Sequence, residues 1–281
     1  MKIHFLLEEQ VHSRHCPAFV SAMAMLADRG FTVSRGIPEL ALLSPDRLSA
    51  RHDLYVLESR SELALSVAAV LHDRGGQFLN PYPACALAQN RITAASRLAA
   101  AALPVPRCWV TADFALLCDL AAERPVVVKP YRSSGSARPL VALGPDDLVG
   151  IPLRDQPVLV QEFVAGRGPD LRLDAIGEQV FAYERAAGTA VEVTAELRQI
   201  ALRCGRVFGL SVYGLDLVQG AEGPVVVDVD HAPCLGGIPQ AATLLARHID
   251  NVAGGRTPLA RVPPVLQGTP GWAASLQGLA A

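Results

Sequence analysis

Tyr213-Gly-Leu-Asp-Leu-Val218 and Val225-Val-Val-Asp-Val-Asp230, joined through Gln219-Gly-Ala-Glu-Gly223, read as a β-hairpin. In the second strand the carboxylates alternate with valine, so Asp228 and Asp230 share one face. Closure through the glycine turn brings Asp216 beside them from the first strand. Three carboxylates on one face repel one another unless a cation lies between them. Such a set suits hard Mg²⁺, which takes a few protein carboxylates and completes its shell with water and substrate phosphates. The alternative is a solvated polar face on an edge strand, and the dense apolar setting speaks against it. Asp216, Asp228 and Asp230 are therefore the expected metal ligands.

Upstream, Pro125-Val-Val-Val-Lys-Pro130 places Lys129 at the end of an apolar strand. Only Lys2 and Lys129 are lysines among 25 basic residues, the rest being arginine. A compact ammonium and a planar guanidinium are not interchangeable, so a retained lysine points to a point charge with a task. The following Arg132-Ser-Ser-Gly-Ser136 segment suits a cover over phosphates, with Ser134 and Gly135 offering backbone N–H groups. Gln161-Glu162-Phe163-Val164 ends another apolar strand and can present backbone groups to an adenine edge; Asp170, shortly after, can take ribose hydroxyls.

The order of elements extends outward from these strands. Residues 1–80 alternate short apolar runs (Ile3–Leu7, Asp53–Leu57, Gln77–Asn80) with helical patterns (Pro17–Gly30, Ser61–Leu71), as in a parallel sheet with crossover helices. One helix is expected from Ala84 to Leu103, and others over Asp113–Ala122, Val193–Gly205 and Pro239–Asn251. Leu171–Ala175 and Val180–Arg185 read as an antiparallel pair turned at Gly177, and the Gly/Pro-rich stretch from Gly254 as a loosely attached tail. The expected units are 1–88, 89–164, 165–255 and a tail, 256–281.

Composition narrows the function classes. Over 281 residues, 51% are hydrophobic, enough for a sizeable core, and the net charge of −2 leaves no electrostatic footprint for nucleic acid or an anionic membrane. No run of 18 apolar residues occurs, and the N-terminus is too short in apolar residues for a signal peptide. Six scattered cysteines, without a C-x-x-C pair, read as reduced thiols of a cytoplasmic protein. In the loop after the first strand, His12, Arg14 and His15 can receive an anionic acceptor, as can Arg60 after the second.

Taken in order, these segments resemble the ATP-grasp superfamily, closest to its ribosomal-protein-S6-modification and glutathione-synthetase-like ligases. The matching pieces are Asn90-Arg91 opening a helix, Pro125–Pro130, Val160–Phe163, Gly168-Pro-Asp-Leu-Arg172, Gly214–Asp216, and Val227–Asp230 before Ala-Pro-Cys-Leu-Gly-Gly237. No single motif is specific; the ordered set is. The resemblance implies an α/β fold of ATP-grasp type, with an N-terminal parallel-sheet pre-ATP domain followed by two α+β lobes clasping the nucleotide. It implies ATP and Mg²⁺ (or Mn²⁺) as cofactors. It places Arg91 and Lys129 at the phosphates, Gln161 to Val164 at adenine, Asp170 at the ribose, and Asp216, Asp228 and Asp230 at the metal. Arg172 and Arg185 match strand positions that face the site and steady an anionic substrate or intermediate.

Three departures bear on the reaction. The family's metal strand usually reads Glu-x-Asn, where this chain has Asp228-Val-Asp230, and the phosphate loop has lost most of its glycines. The segment between Arg185 and the 193–205 helix is short and lacks the Arg-x-Asn run that closes many ligase sites. The leading expectation is a carboxylate–amine (or thiol) ligase acting on a small molecule or peptide through an acyl phosphate. A small-molecule kinase resembling inositol-phosphate kinases and a catalytically silent nucleotide binder are the alternatives. The expected partners are the substrate and, at most, a second copy of the chain in a homodimer.

Overall fold

The computed structural model describes residues 1–8, 16–132, 139–149 and 156–264. Its first layer comprises Lys2–Leu7 (β1), Pro17–Asp28 (α1), Thr32–Gly36 (β2), Leu54–Glu58 (β3), Glu62–Asp73 (α2) and Phe78–Leu79 (β4). The four strands form a parallel sheet in the order β2-β1-β3-β4. Strand alternation divides its side chains between two cores: Ile3, Phe5 and Leu7 pack with α1, while Leu6, Tyr55 and Leu57 pack with α2. A parallel sheet needs both faces covered in this way.

The single helix expected from Ala84 to Leu103 is two helices, Tyr82–Gln89 (α3) and Arg91–Ala100 (α4). Asn90 interrupts them with extended backbone, its Oδ1 capping α4 by accepting from the Ile92 and Thr93 N–H groups. The break lets the Arg91 N–H reach the Tyr131 carbonyl at 2.7 Å, a tertiary bond that no helical periodicity announces.

The second sheet comprises Cys108–Thr111 (β5), Val126–Pro130 (β6), Leu140–Ala142 (β7) and Val158–Glu162 (β8), in the antiparallel order β5-β8-β6-β7. Helix Phe114–Glu123 (α5) covers the face bearing Val126, Val128, Val158 and Val160. Period 2 therefore turns Lys129, Leu159 and Gln161 to the opposite face.

The third sheet is also antiparallel. Leu171–Ile176 (β9), Gln179–Glu184 (β10), Ala190–Val191 (β11), Val212–Gly220 (β12) and Gly223–Asp230 (β13) follow the order β11-β10-β9-β12-β13. Its core takes Leu171, Leu173, Leu215 and Val229 with Ala195–Phe208 (α6), and also Ala84, Ala88, Ala94 and Leu98 of α3 and α4. The last helix, Ala241–Ala253 (α7), crosses back and packs with α1 in the core of the first sheet. The C-terminal part of the chain thus closes the N-terminal layer.

Two expectations need correction. The chain after Gly254 is packed as far as Val262: Leu259 joins the core of the first sheet and Val262 that of the third. Gly209, which ends α6 at φ 72°, lies so close to it that a Cβ there would come 2.4 Å from the Arg261 carbonyl oxygen. Residues 265–281 lie outside the described residues. Nor are all six cysteines thiols, because Cys16 and Cys234 form a disulfide across 218 residues, while Cys85, Cys108, Cys118 and Cys204 are free. Their pairing depends on the return of the C-terminal segment to the first layer, so spacing along the chain carried no sign of it. Among the described residues no helix is long and apolar enough to cross a membrane.

Candidate active site

The hairpin is as the alternation required. Asp216 and Asp228 are cross-strand partners, and Asp230 pairs with Gly214. The register slips beside Asp216: Leu217 faces Val226 while Asp216 faces Asp228, leaving Val227 as the extra residue of a β-bulge. The Lys129 ammonium donates to the Val227 carbonyl at 2.7 Å, which ties the second sheet to the third at the acidic strand. Burial lowers the Lys129 pKa, and the Asp228 charge opposes that shift.

Arginines from three regions converge on the carboxylates. From the start of α4, Arg91 donates to the Pro130 and Arg132 carbonyls at 3.0 and 3.2 Å and to Asp228 Oδ2 at 3.2 Å. Arg172, on β9, reaches Asp216 at 3.1 Å and Asp230 at 2.8 Å, and Arg185 lies 3.4 Å from Asp216. Arg60, just past β3, grips Asp230 with Nε at 3.0 Å and Nη2 at 2.6 Å. The repulsion among the three carboxylates is therefore relieved here by guanidinium groups.

Protein donors engage both oxygens of each acid, Asp216 through Arg172 and Arg185, but Asp230 the most heavily. Both oxygens of Asp230 are engaged, Oδ1 by Arg60 and the Ala232 N–H, Oδ2 by Arg60 and Arg172. Burial disfavours its charge, yet Arg172 and then Arg60 outweigh burial and hold its carboxyl well below the usual range. Asp228 accepts from Arg91 with Oδ2 and from the Val229 N–H with Oδ1. Asp216 and Asp228 thus face each other on one side of the hairpin with Lys129 and Arg91 beside them. Two such carboxylates fit an Mg²⁺ that shares its shell with phosphate oxygens. Among the described residues, no three His, Cys, Asp or Glu side chains are grouped closely enough to hold a metal ion alone.

Gln161 is buried at the end of β8, and Phe163 is exposed, its N–H donating to the Pro125 carbonyl. Glu162 donates its N–H to the Arg107 carbonyl, and Val164 begins the link toward the third sheet. Asp170 is exposed, with its carbonyl held by the Arg185 N–H. Ser134, Gly135, His12, Arg14 and His15 lie outside the described residues. Arg60, expected to await an anionic acceptor, spends its guanidinium on Asp230 and the Ala232 carbonyl.

Four further residues belong to this cluster. Glu8, after β1, accepts the Arg60 N–H at 3.1 Å. Glu58 ends β3 fully buried, its Oε1 without a hydrogen-bond partner among the described residues; burial first, then the Asp230 charge, raises its pKa well above the ordinary value. Asp174 holds the Arg172 Nε at 2.8 Å and accepts a short hydrogen bond from the Tyr183 hydroxyl. Sequence alternation does contain a trace of this last group, because Arg172 and Asp174 lie two apart on one strand and Tyr183 is the cross-strand partner of Arg172.

Comparison with known proteins bears on the family and the fold. Residues 88–250 match the RimK-like ATP-grasp domain. A probable alpha-L-glutamate ligase of Stenotrophomonas maltophilia (strain K279a) is 36% identical over 115 residues, which cover 34% of this chain and 39% of that relative. The RimK domain protein ATP-grasp of Sphaerobacter thermophilus superposes with a TM-score of 0.76 at 22% identity, over 89% of this chain and 99% of that one. ATP-grasp ligase PsnB, solved with minimal precursor, Mg and ADP, superposes with a TM-score of 0.63 at 20% identity, over 88% and 96%. At these identities the two structures speak for the fold. A domain match over more than half of the chain says more: this protein belongs to the RimK-like ATP-grasp family.

Proposed function

We propose that the chain is an ATP-dependent ligase that joins a carboxylate to an amine through an acyl phosphate. The observation that carries this is the meeting of Lys129, Arg91 and Arg172 around the facing pair Asp216 and Asp228. Cations for phosphate and carboxylate stand there beside two carboxylates for a metal. Asp216 and Asp228 would hold Mg²⁺, which when bound screens the charge of the phosphates. Asp230, already saturated, serves to fix Arg60 and Arg172.

In this proposal Gln161, Glu162, Phe163 and Val164 border the adenine and Asp170 the ribose, while Lys129 and Arg91 meet the phosphates. A substrate carboxylate oxygen attacks the γ-phosphorus, and the bridging oxygen departs with ADP. An amine then attacks the acyl carbon, phosphate leaves, and the amine proton passes to solvent. No protein nucleophile is needed. Positioning and charge stabilisation do the work, and Arg172, with Arg185 at the rim, would stabilise the oxyanion.

Relatives named as alpha-L-glutamate ligases make L-glutamate the first amine to test, and PsnB, solved with its precursor, makes a peptide the second acceptor class. The deciding experiment measures ADP and phosphate release from Mg-ATP with L-glutamate, with peptides ending in glutamate, and with both. Ligation predicts stoichiometric ADP, phosphate and an amide detected by mass. A stable phosphomonoester would assign a kinase instead, and nucleotide binding without turnover across the panel would rule out the ligase.

A further inference from the structure

We propose that Asp174 and Tyr183 are positioning residues that hold Arg172 in its working orientation; this rests on the ligase reading, in which Arg172 meets the acyl group. Each of the three guanidinium nitrogens of Arg172 faces a different carboxylate: Nε to Asp174 at 2.8 Å, Nη1 to Asp216 at 3.1 Å, Nη2 to Asp230 at 2.8 Å. Two of those acids belong to the acidic hairpin. Asp174 does not, since it comes from Arg172's own strand, two residues on and on the same face. It therefore fixes the plane of the guanidinium at its root, whatever the hairpin binds.

Asp174 is 1% exposed, and a buried carboxylate needs its remaining oxygen satisfied. Tyr183 supplies that bond from β10, where it is the cross-strand partner of Arg172. The Tyr183 ring is itself seated against Gly237, where a Cβ would come 2.8 Å from its Cε1. Gly214 leaves the room the guanidinium occupies, since a Cβ there would lie 1.9 Å from Arg172 Nη2. The result is a rigid line from Gly237 through Tyr183 and Asp174 to Arg172. An arginine side chain has several rotatable bonds to freeze, and this line freezes them before substrate arrives.

The experiment compares Tyr183→Phe, Asp174→Asn and the double variant in ADP release from Mg-ATP with L-glutamate and a peptide ending in glutamate together. Hydrogen exchange of the Arg172 Nε–H is followed by NMR on arginine-labelled full-length protein, the signal being assigned by its loss in Arg172→Lys. Tyr183→Phe should lower kcat about three- to tenfold with KM for ATP unchanged, as expected for one hydrogen bond acting through a charged neighbour. Asp174→Asn should lower it further, and the double variant should be no slower than Asp174→Asn alone, because both act along one line. Nε–H exchange should accelerate in both single variants.

Wild-type kcat in Tyr183→Phe, or single effects that multiply in the double variant, would overturn the positioning role. If Asp174→Asn does not fold, Tyr183→Phe alone carries both measurements. No turnover by the wild-type chain would remove the ligase reading instead. The NMR measurement then decides by itself, unchanged exchange overturning the clamp and accelerated exchange supporting it.

Discussion

Arg60 and Asp230, 170 residues apart, are joined by two hydrogen bonds at 3.0 and 2.6 Å, so the end of the first parallel sheet is fastened to the end of the acidic strand. The pair is doubly anchored, because Arg172 holds the same carboxylate and Ala232 offers its carbonyl to Arg60. Removing the two partners should therefore have unequal effects. Arg60→Ala leaves Asp230 still paired with Arg172 and should cost about 1–3 kcal/mol. Asp230→Ala takes a carboxylate from two guanidinium groups at once, leaving Arg60 with only the Ala232 carbonyl, and should cost about 3–5 kcal/mol. Urea unfolding measures both, and equal effects near zero would show that the latch contributes nothing to stability.

The division of labour between Asp228 and Asp230 is testable by calorimetry. Asp228 faces Asp216 and accepts from one arginine and one backbone N–H, whereas Asp230 accepts four hydrogen bonds, three of them from Arg60 and Arg172. Asp228→Ala should weaken ATP binding in the presence of magnesium by at least about tenfold, while leaving the residual metal-free binding alone. Asp230→Asn should retain magnesium-dependent affinity within about threefold, because an amide oxygen still accepts from Arg60 or Arg172. Equal losses in the two variants would place Asp230 in the metal shell as well.

The acidic strand was legible because its information is local: period 2 alone puts Asp228 and Asp230 on one face. Its cross-strand bulge at Val227 was not, since a bulge is a property of register between two strands, and that bulge supplies the carbonyl to Lys129. Arg60 shows the same limit. Its place after a parallel strand marked it as a residue of the site, but its partner comes from the far end of the chain. Asn90 could be read as a helix opener, yet the continuous apolar pattern around it suggested one helix. The tertiary bond from Arg91 to Tyr131 decided otherwise. Asp174 lies two residues after Arg172, but its partner Tyr183 reaches it only through the β9–β10 pairing, which spacing along one strand does not contain.

Glu58 gives a pH signature of unusual sign. Its folded pKa is raised above the ordinary value of 4.5 by burial, with the Asp230 charge adding to the effect, so the native state holds a proton that the unfolded chain releases. Stability is then undiminished below the unfolded pKa and falls as pH rises toward the folded one. Glu58→Gln removes that loss. The variant should match wild type near pH 4 and become progressively more stable than it between pH 5 and 8, by urea midpoint. A constant difference across that range would mean that Glu58 does not titrate in this way.

The Cys16–Cys234 bond closes the longest covalent loop in the chain and joins the start of α1 to the segment after β13. A cross-link spanning 218 residues restricts the unfolded chain strongly, by roughly 5 kcal/mol in the chain-entropy treatment. Protein purified without reductant and then denatured should show four thiols to a colorimetric reagent, rising to six after reduction. Reduction or Cys16→Ser should lower the urea midpoint, and Cys85→Ser should leave the thiol-linked part of that shift intact because Cys85 is free. The shift separates a bond that stabilises from one that merely forms. If six thiols react before reduction, the two cysteines lie together without bonding, and the first layer and the acidic strand are then held by Arg60 and Asp230 without covalent help.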